Sequence, residues 1–144
     1  MAKELASLLG DLIQVDYDAV AGYEAAIERL DDATAKTHLT EFRGDHERHT
    51  RDLSMLLRDM GGTPPTEGDF KAVLTQGKVA LGGLMGDKQV LQAMKSNEDQ
   101  TNKAYEDAVA HPELAAETRR LLESNLADER RHRAWIEEHL NSMA

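Results

Sequence analysis

Six side chains of this sequence are of the kinds that bind divalent metal ions, and each falls where a helical pattern calls for an apolar residue. They are three carboxylates and three histidines: Asp16, His46, His49, Glu98, Glu129 and His132. Carboxylate oxygens and imidazole nitrogens together suit iron, manganese or zinc. Buried without a cation, such groups would cost on the order of several kcal/mol for each unpaired charge. The set therefore predicts a site for one or two metal ions.

Each of these residues taken alone has a simpler explanation. A single buried carboxylate usually makes hydrogen bonds within the core, and a single histidine on an apolar face is usually satisfied by a neighbour. The prediction of a metal site depends on the six residues together.

Four helical patterns carry the six residues. In each pattern the apolar positions alternate by three and four residues, which keeps their side chains on one face of a helix. Predicted helix A carries Leu5, Leu9, Leu12, Asp16, Ala19, Tyr23, Ala26 and Leu30. Helix B carries Leu39, Phe42, His46, His49, Leu53, Leu56 and Met60. Helix C carries Leu91, Met94, Glu98, Thr101, Tyr105 and Ala108, and helix D carries Thr118, Leu122, Asn125, Glu129, His132, Ile136 and His139.

The chain also contains an internal duplication. A shift of about 82 residues aligns Asp16 with Glu98 and Tyr23 with Tyr105. One further step aligns the His-x-x-His sequence of helix B with the Glu-x-x-His sequence of helix D. The two halves are therefore predicted to be related helical hairpins.

The turns place the candidate ligands at one height. The carboxylate of helix A and the first histidine of helix B are equidistant from the polar Asp31-Asp32 break. The carboxylate of helix C and the glutamate of helix D are equidistant from a point beside His111-Pro112, where proline ends a helix. Because an i, i+3 spacing places both side chains of a motif on one face, all six candidates are expected near the middle of the bundle.

The Glu129-Arg130-Arg131-His132 sequence resembles the Glu-x-x-His motif of ferritin-like di-iron carboxylate proteins. In that superfamily two helices each give a glutamate and two give Glu-x-x-His. The resemblance spans about residues 4 to 140 and is greatest to rubrerythrin-like members and small bacterial ferritin-like proteins. It implies an all-α, antiparallel four-helix bundle with a long crossover between helices B and C. Tyr23 and Tyr105 are similar to tyrosines beside the metal site in rubrerythrin-like proteins, and they are the candidate catalytic residues.

Two residues depart from the family pattern. His46 stands where the motif has a glutamate that commonly bridges two metals, and an imidazole is a weaker candidate for that bridge. Asp16 is one methylene shorter than the usual glutamate. Three carboxylates leave two divalent ions with about one excess positive charge. A solvent hydroxide, or recruitment of Asp45, Glu24 or Asp128, would compensate, and a single-metal site is the alternative.

The resemblance implies iron binding, with ferroxidase or peroxide-reducing activity on dioxygen or peroxide. An external electron donor is expected, since a chain without cysteine has no Cys-x-x-Cys module of its own. The tyrosines would then tune the carboxylates through hydrogen bonds or donate to an oxidised intermediate. Two alternatives stay open. One is a non-enzymatic, stress-related bundle with a structural or vestigial metal site, and the other is a mononuclear zinc or nickel site.

Several further polar residues lie close to the apolar faces of the predicted helices. His139 is about 10 Å beyond His132 along helix D, and His38 and His111 lie near turns, so none of these histidines is a predicted ligand. Asn125 is a candidate hydrogen-bond partner of a ligand. Glu24 and Glu106 either orient ligands or lie on a solvated flank.

Length and charge bound the remaining possibilities. The 144 residues suit one domain, with hairpins at 4–60 and 88–140 and a crossover at 61–87. A formal charge of −10 argues against nucleic-acid binding. No apolar run suits a signal segment or membrane helix, which favours a cytoplasmic location. A short amphipathic segment in the crossover would cover one bundle edge or contact a second copy in a homodimer; its apolar residues are Phe70, Val73, Leu74, Val79, Leu81, Leu84 and Met85.

Overall fold

Four long helices form an all-α bundle in this computed structural model, which describes residues 2–70, 83–84 and 86–143. The helices are α1 (Ala2–Arg29), α2 (Ala33–Asp59), α3 (Asp87–Val109) and α4 (Ala116–Asn141). One short 3-10 helix spans Glu67–Phe70, and the described residues contain no β-strand. The four helices coincide with predicted helices A to D, and the predicted fold class is confirmed. None of the described helices has the length and apolarity needed to span a membrane, and the cytoplasmic location stays a prediction.

Two apolar clusters show which ends of the helices pack together, and therefore the relative directions of the helices. The first joins the C-terminal half of α1 to the N-terminal halves of α2 and α3 and to Ile136 near the end of α4. The second joins the N-terminal half of α1 to the C-terminal halves of α2 and α3 and to Leu122 and Leu126 of α4. α1 therefore runs antiparallel to α2 and α3, and α4 runs parallel to α1. Because α2 and α3 are parallel, α2 ends and α3 begins at opposite ends of the bundle.

At the C-terminal end of α2 the buried residues differ from those that the apolar spacing predicted. Leu53 is fully buried as predicted, but Leu57, rather than Leu56, is the next buried leucine. Met60 is 36 % exposed, so its predicted place on the buried face is wrong. A straight helix with 3.6 residues per turn cannot keep a strict alternation of three and four on one face over many turns.

Polar side chains cap the hairpin turns. Asp32 is the N-cap of α2, where Oδ1 accepts hydrogen bonds from Thr34 N at 2.9 Å and Ala35 N at 3.4 Å. In the second hairpin, the Arg119 guanidinium donates to the carbonyls of Val109 and His111 at the end of α3. Each turn therefore satisfies backbone groups that a helix end would otherwise leave unpaired.

The carboxylate of Asp87 connects the two hairpins. From the first turn of α3 it accepts hydrogen bonds from Asp31 N at 2.9 Å and Asp32 N at 3.0 Å. The turn of the first hairpin is thereby attached to the start of the second.

Glycines with positive φ border the crossover. Gly61, with φ of 83°, ends α2, and Gly86, also with φ of 83°, precedes α3. The 3-10 helix lies against α1, and Leu84 packs on the first apolar cluster. The other apolar residues of the predicted amphipathic segment lie outside the residues whose side chains are described: Phe70, Val73, Leu74, Val79, Leu81 and Met85. The homodimer stays a prediction.

Candidate metal centre

The six candidate ligands meet in one polar layer between the two apolar clusters, with exposures of 0–1 %. They form two overlapping groups, in each of which one ligand atom per residue lies within 4.8 Å of the others. We call these the Asp16 group and the Glu98 group. The Asp16 group comprises Asp16, His46, His49 and Glu129, and the Glu98 group comprises His46, Glu98, Glu129 and His132. The helix register predicted from the sequence is sufficient to bring these residues together; their binding of metal stays a prediction.

In the Asp16 group, one carboxylate oxygen contacts both histidines of α2. Asp16 Oδ1 lies 2.7 Å from His46 Nδ1 and 3.1 Å from His49 Nδ1. His49 Nδ1 is also 3.3 Å from Glu129 Oε1. The first two distances are those of hydrogen bonds between a carboxylate and an imidazole.

The Glu98 group is more loosely paired. His46 Nε2 lies 3.4 Å from Glu98 Oε1 and 3.3 Å from Glu129 Oε2. His132 Nδ1 lies 3.5 Å from Glu98 Oε1 and 3.7 Å from Glu129 Oε2. These distances are longer than those of ordinary hydrogen bonds between charged groups.

Two unpaired atoms support a fit to metal. Among the described residues, three buried side-chain atoms lack a hydrogen-bond partner, and two of them are Glu129 Oε1 and His132 Nδ1. Buried polar atoms are nearly always hydrogen-bonded, so unpaired atoms in this layer require an explanation. Since a carboxylate oxygen and an imidazole nitrogen are both ligands for iron, manganese and zinc, the donor set fits a divalent cation.

Outer carboxylates orient two of the histidines. Asp128 Oδ2 lies 2.9 Å from His49 Nε2, and Asp45 Oδ2 lies 2.7 Å from His132 Nε2. Each aspartate directly precedes the motif of one hairpin and contacts a histidine of the other. A hydrogen bond at Nε2 directs Nδ1 toward the core, which is how outer-shell partners orient ligands around metals. The two aspartates were considered as extra ligands from the sequence; the structure places them on the outer side of the rings instead.

Two arginines hold these aspartates. Arg48 donates to Asp128 and, at 3.2 Å, to Asp45, whereas Arg131 donates to Asp45 at 2.6 Å and to Asp128 at 3.3 Å. Neither arginine was predicted as part of the site. The internal duplication could have indicated these residues, since both the aspartate and the arginine recur at matching positions of the two motifs.

The two repeated tyrosines reach across to the opposite hairpin. Tyr23 of α1 donates to Glu98 Oε1, and Tyr105 of α3 donates to Asp16 Oδ2 at 2.5 Å. Burial, together with the neighbouring carboxylates, raises the pKa of both phenols well above its ordinary value. They therefore remain protonated donors, and their role as catalytic residues stays a prediction. Asn125 Nδ2 donates to the Tyr105 hydroxyl at 3.3 Å, which places it behind the tyrosine and not on a ligand.

Thr101 and Asn102 complete the layer, and their roles were missed in the sequence. Thr101 Oγ1 lies 3.0 Å from both Glu98 Oε2 and Glu129 Oε2. Asn102 Nδ2 donates to the backbone carbonyl of Glu98 at 2.7 Å and to that of Glu129 at 3.2 Å. The sequence did offer one indication of this role, because Thr101 lies on the apolar face of helix C almost one turn after Glu98.

Pairing between the histidines and the carboxylates of the polar layer determines their protonation states. Burial lowers the pKa of the histidines, but hydrogen bonds and nearby carboxylates outweigh it and raise the pKa of His49 and of His132 to about 9. The same balance, led by Glu129 and Asp16, raises the pKa of His46 well above its ordinary value. Burial raises the pKa of Asp16 and of Glu98, but hydrogen bonds from the histidines reverse this and lower both. Without a metal, the layer therefore pairs imidazolium ions with carboxylates.

The remaining histidines lie away from this layer, as expected. His139 Nε2 is 2.8 Å from Asp32 Oδ2 at the first hairpin turn. His38 stacks on Trp135 with ring centroids 4.1 Å apart, and His111 Nδ1 accepts from Glu113 N at 3.2 Å.

The two repeated glutamates belong to neither ligand group. Glu106 is exposed and lies 3.9 Å from Arg130, which fits a solvated flank, and Glu24 is half-buried.

Comparison with known proteins gives a family for the chain. No curated protein matches it significantly. The family described as Domain of unknown function (DUF2383) matches residues 4–111. The match includes nearly all of α1 and the whole of α2 and α3, with four of the six candidate ligands, and ends before α4. Because these residues form well over half of the sequence, the chain belongs to the DUF2383 family.

Proposed function

We propose that this protein binds iron in the polar layer of its bundle and oxidises ferrous iron or reduces peroxide, as its resemblance to ferritin-like di-iron proteins implies. The observation that supports this most is the overlap of two ligand groups around atoms that lack hydrogen-bond partners. Manganese or zinc would fit the same donors. Iron is proposed because of the resemblance, and the proposed location is the cytoplasm.

The six candidate ligands would hold the metal, with His46 and Glu129 shared between the groups. Bound iron would supply one-electron redox chemistry toward dioxygen or peroxide. The chain supplies the rest: Asp45 and Asp128 orient imidazoles, Tyr23 and Tyr105 hold carboxylates, and the apolar clusters exclude water.

Ferrous oxidation passes electrons to dioxygen or peroxide, whereas repeated peroxide reduction requires electrons from outside the chain. Reducing one peroxide to two waters consumes two electrons and two protons, which two ferrous ions or an external reductant and the solvent would supply. The chain has no cysteine and therefore no iron–sulfur module to deliver them.

A second candidate function is a non-enzymatic bundle with a structural metal site or only a polar core. Close pairing favours it, since His46 Nδ1 and Asp16 Oδ1 are only 2.7 Å apart and already satisfy each other. Buried ion pairs of this kind can serve structural specificity without chemistry.

Metal content and ferrous oxidation distinguish the two functions. We expect purified protein loaded with Fe(II) to retain one or two irons per chain by mass spectrometry, and to accelerate the appearance of ferric absorbance over buffer. Glu129→Gln should lose both properties, because Glu129 belongs to both groups. Glu106→Gln, which removes an exposed charge, is the matched control. Retained iron without accelerated oxidation would support the structural function, and no retained metal would refute iron binding.

A further inference from the structure

We propose that the two ligand groups bind metal unequally, with the Glu98 group taking the first ion and the Asp16 group a second ion only at the expense of the hydrogen bond between Asp16 and His46. The inference rests on the proposed metal site. It requires neither iron nor redox activity, so it can be tested with a metal that does not turn over.

His46 is the origin of the asymmetry. Its Nδ1 is 2.7 Å from Asp16 Oδ1, a hydrogen bond in which the nitrogen carries the proton. Its Nε2 faces Glu98 and Glu129 at 3.4 and 3.3 Å. Once a metal has displaced one proton from the ring, only one nitrogen has a free lone pair, so this hydrogen bond leaves Nε2 as the ligand and assigns it to the Glu98 group. A glutamate at this position would have an oxygen for each group.

The ligands of the Glu98 group are less tightly paired with one another than those of the Asp16 group. The imidazole–carboxylate contacts among its ligand residues are 3.3 to 3.7 Å long, and His132 Nδ1 has no hydrogen-bond partner. Its ligands are also held in place, because His132 Nε2 is 2.7 Å from Asp45, Tyr23 donates to Glu98 Oε1, and Thr101 Oγ1 is 3.0 Å from Glu98 Oε2. A metal entering here gains four oriented ligands and breaks no short contact between them.

The Asp16 carboxylate is already paired with both histidines of its group. Asp16 Oδ1 accepts from His46 at 2.7 Å and from His49 at 3.1 Å, whereas Tyr105 holds Asp16 as Tyr23 holds Glu98, so the tyrosines do not distinguish the groups. With His46 assigned to the other group, a metal here would find three ligand residues in place of four. It would also have to break hydrogen bonds to a buried carboxylate. Losing one such bond corresponds to roughly 10- to 100-fold in affinity.

The duplication supplies a matched pair of variants, Asp16→Asn and Glu98→Gln, each removing one charge from one group. The probe is Co²⁺ alone, followed by isothermal titration calorimetry and by its visible absorption bands, which report ligand geometry. We expect wild-type protein to show two binding phases separated by at least about tenfold. Asp16→Asn should keep the first phase and lose the second, whereas Glu98→Gln should weaken the first phase at least about tenfold.

The reverse substitution tests the origin of the asymmetry. His46→Glu restores two shareable oxygens, so the two phases should merge into one. If a variant of the matched pair fails to fold, judged by circular dichroism, Tyr23→Phe and Tyr105→Phe replace the pair, since each removes only one donor from one group. Tyr23→Phe should then weaken the first phase and Tyr105→Phe should not.

The outcomes separate this inference from the proposed function. Two equal ions in wild-type protein, or equal weakening of the first phase by the two matched variants, would overturn the unequal order while leaving metal binding intact. A single ion that is lost in Glu98→Gln and kept in Asp16→Asn would support the order. Absence of any Co²⁺ binding by wild-type protein would overturn both proposals.

Discussion

Tyr105 on α3 donates a 2.5 Å hydrogen bond to Asp16 on α1, so a carboxylate of the first hairpin is held by a donor from the second. The equivalent contact of the other repeat runs in the opposite direction, because Tyr23 on α1 donates to Glu98 on α3. The duplication therefore appears in the structure as reciprocal contacts between the halves.

Replacing Tyr105 by phenylalanine should destabilise the metal-free protein by about 1.5–3 kcal/mol, the usual worth of a hydrogen bond to a charged group. The ring would stay in place while the fully buried Asp16 carboxylate loses one of its donors. Urea unfolding measures the change. In an Asp16→Asn background the same substitution should cost less, and an equal cost in both backgrounds would show that the hydrogen bond is not the cause.

Replacing Asp128 or Asp45 by asparagine should lower metal affinity about 10- to 100-fold, because His49 or His132 loses the carboxylate that orients it. Calorimetric titration with Co²⁺ measures the affinity. The control is Asp107→Asn, an exposed aspartate of α3 that pairs with Lys103. An effect of the control as large as that of either site variant would point to net charge and not to orientation.

Metal binding should strengthen as pH rises. The pKa values of His49 and His132 are about 9 in the folded protein, against an ordinary value of 6.5, so metal must displace their protons near neutral pH. The stability that these protonated histidines give the metal-free protein is complete below pH 6.5 and is lost as pH rises through about 9.

Thermal unfolding can follow both trends. The metal-free protein should melt lower at about pH 9 than at about pH 6, and the increase in melting temperature on adding metal should be larger at about pH 8 than at about pH 6. A pH-independent increase would contradict displacement of protons.

Replacing Asp87 by alanine should destabilise the bundle by about 1–3 kcal/mol, since Asp31 N and Asp32 N lose a shared charged acceptor. Asp107→Ala on the same helix is the control, because that exposed side chain pairs with Lys103 of its own helix and not with the other hairpin. Urea unfolding of both variants gives the difference, and equal effects would exclude Asp87 as a link between hairpins.

Periodicity was enough to predict the helices and the meeting of the six candidate ligands. Apolar spacing of three and four defines a helical face, and the positions of the turns fix the register of each hairpin. Prediction failed where the spacing rule is only approximate, as at Met60, which lies on the surface at the end of α2.

The contacts around the ligands were harder to predict because they depend on which hairpin faces which. Asp45 and Asp128 were named from the sequence as extra ligands, yet they contact the outer nitrogens of histidines in the opposite hairpin. Distance along the chain carries no information on such pairings. Thr101 was placed on the buried face correctly, but its position between Glu98 and Glu129 depends on side-chain rotamers.

The reciprocal contacts have a consequence for folding. The tyrosine that donates to each ligand carboxylate, and the aspartate at Nε2 of His49 or of His132, come from the opposite hairpin, so each isolated half would lack these partners. We therefore expect the docking of the halves and the assembly of the polar layer to occur together, and a cation bound in the layer would link the two hairpins further.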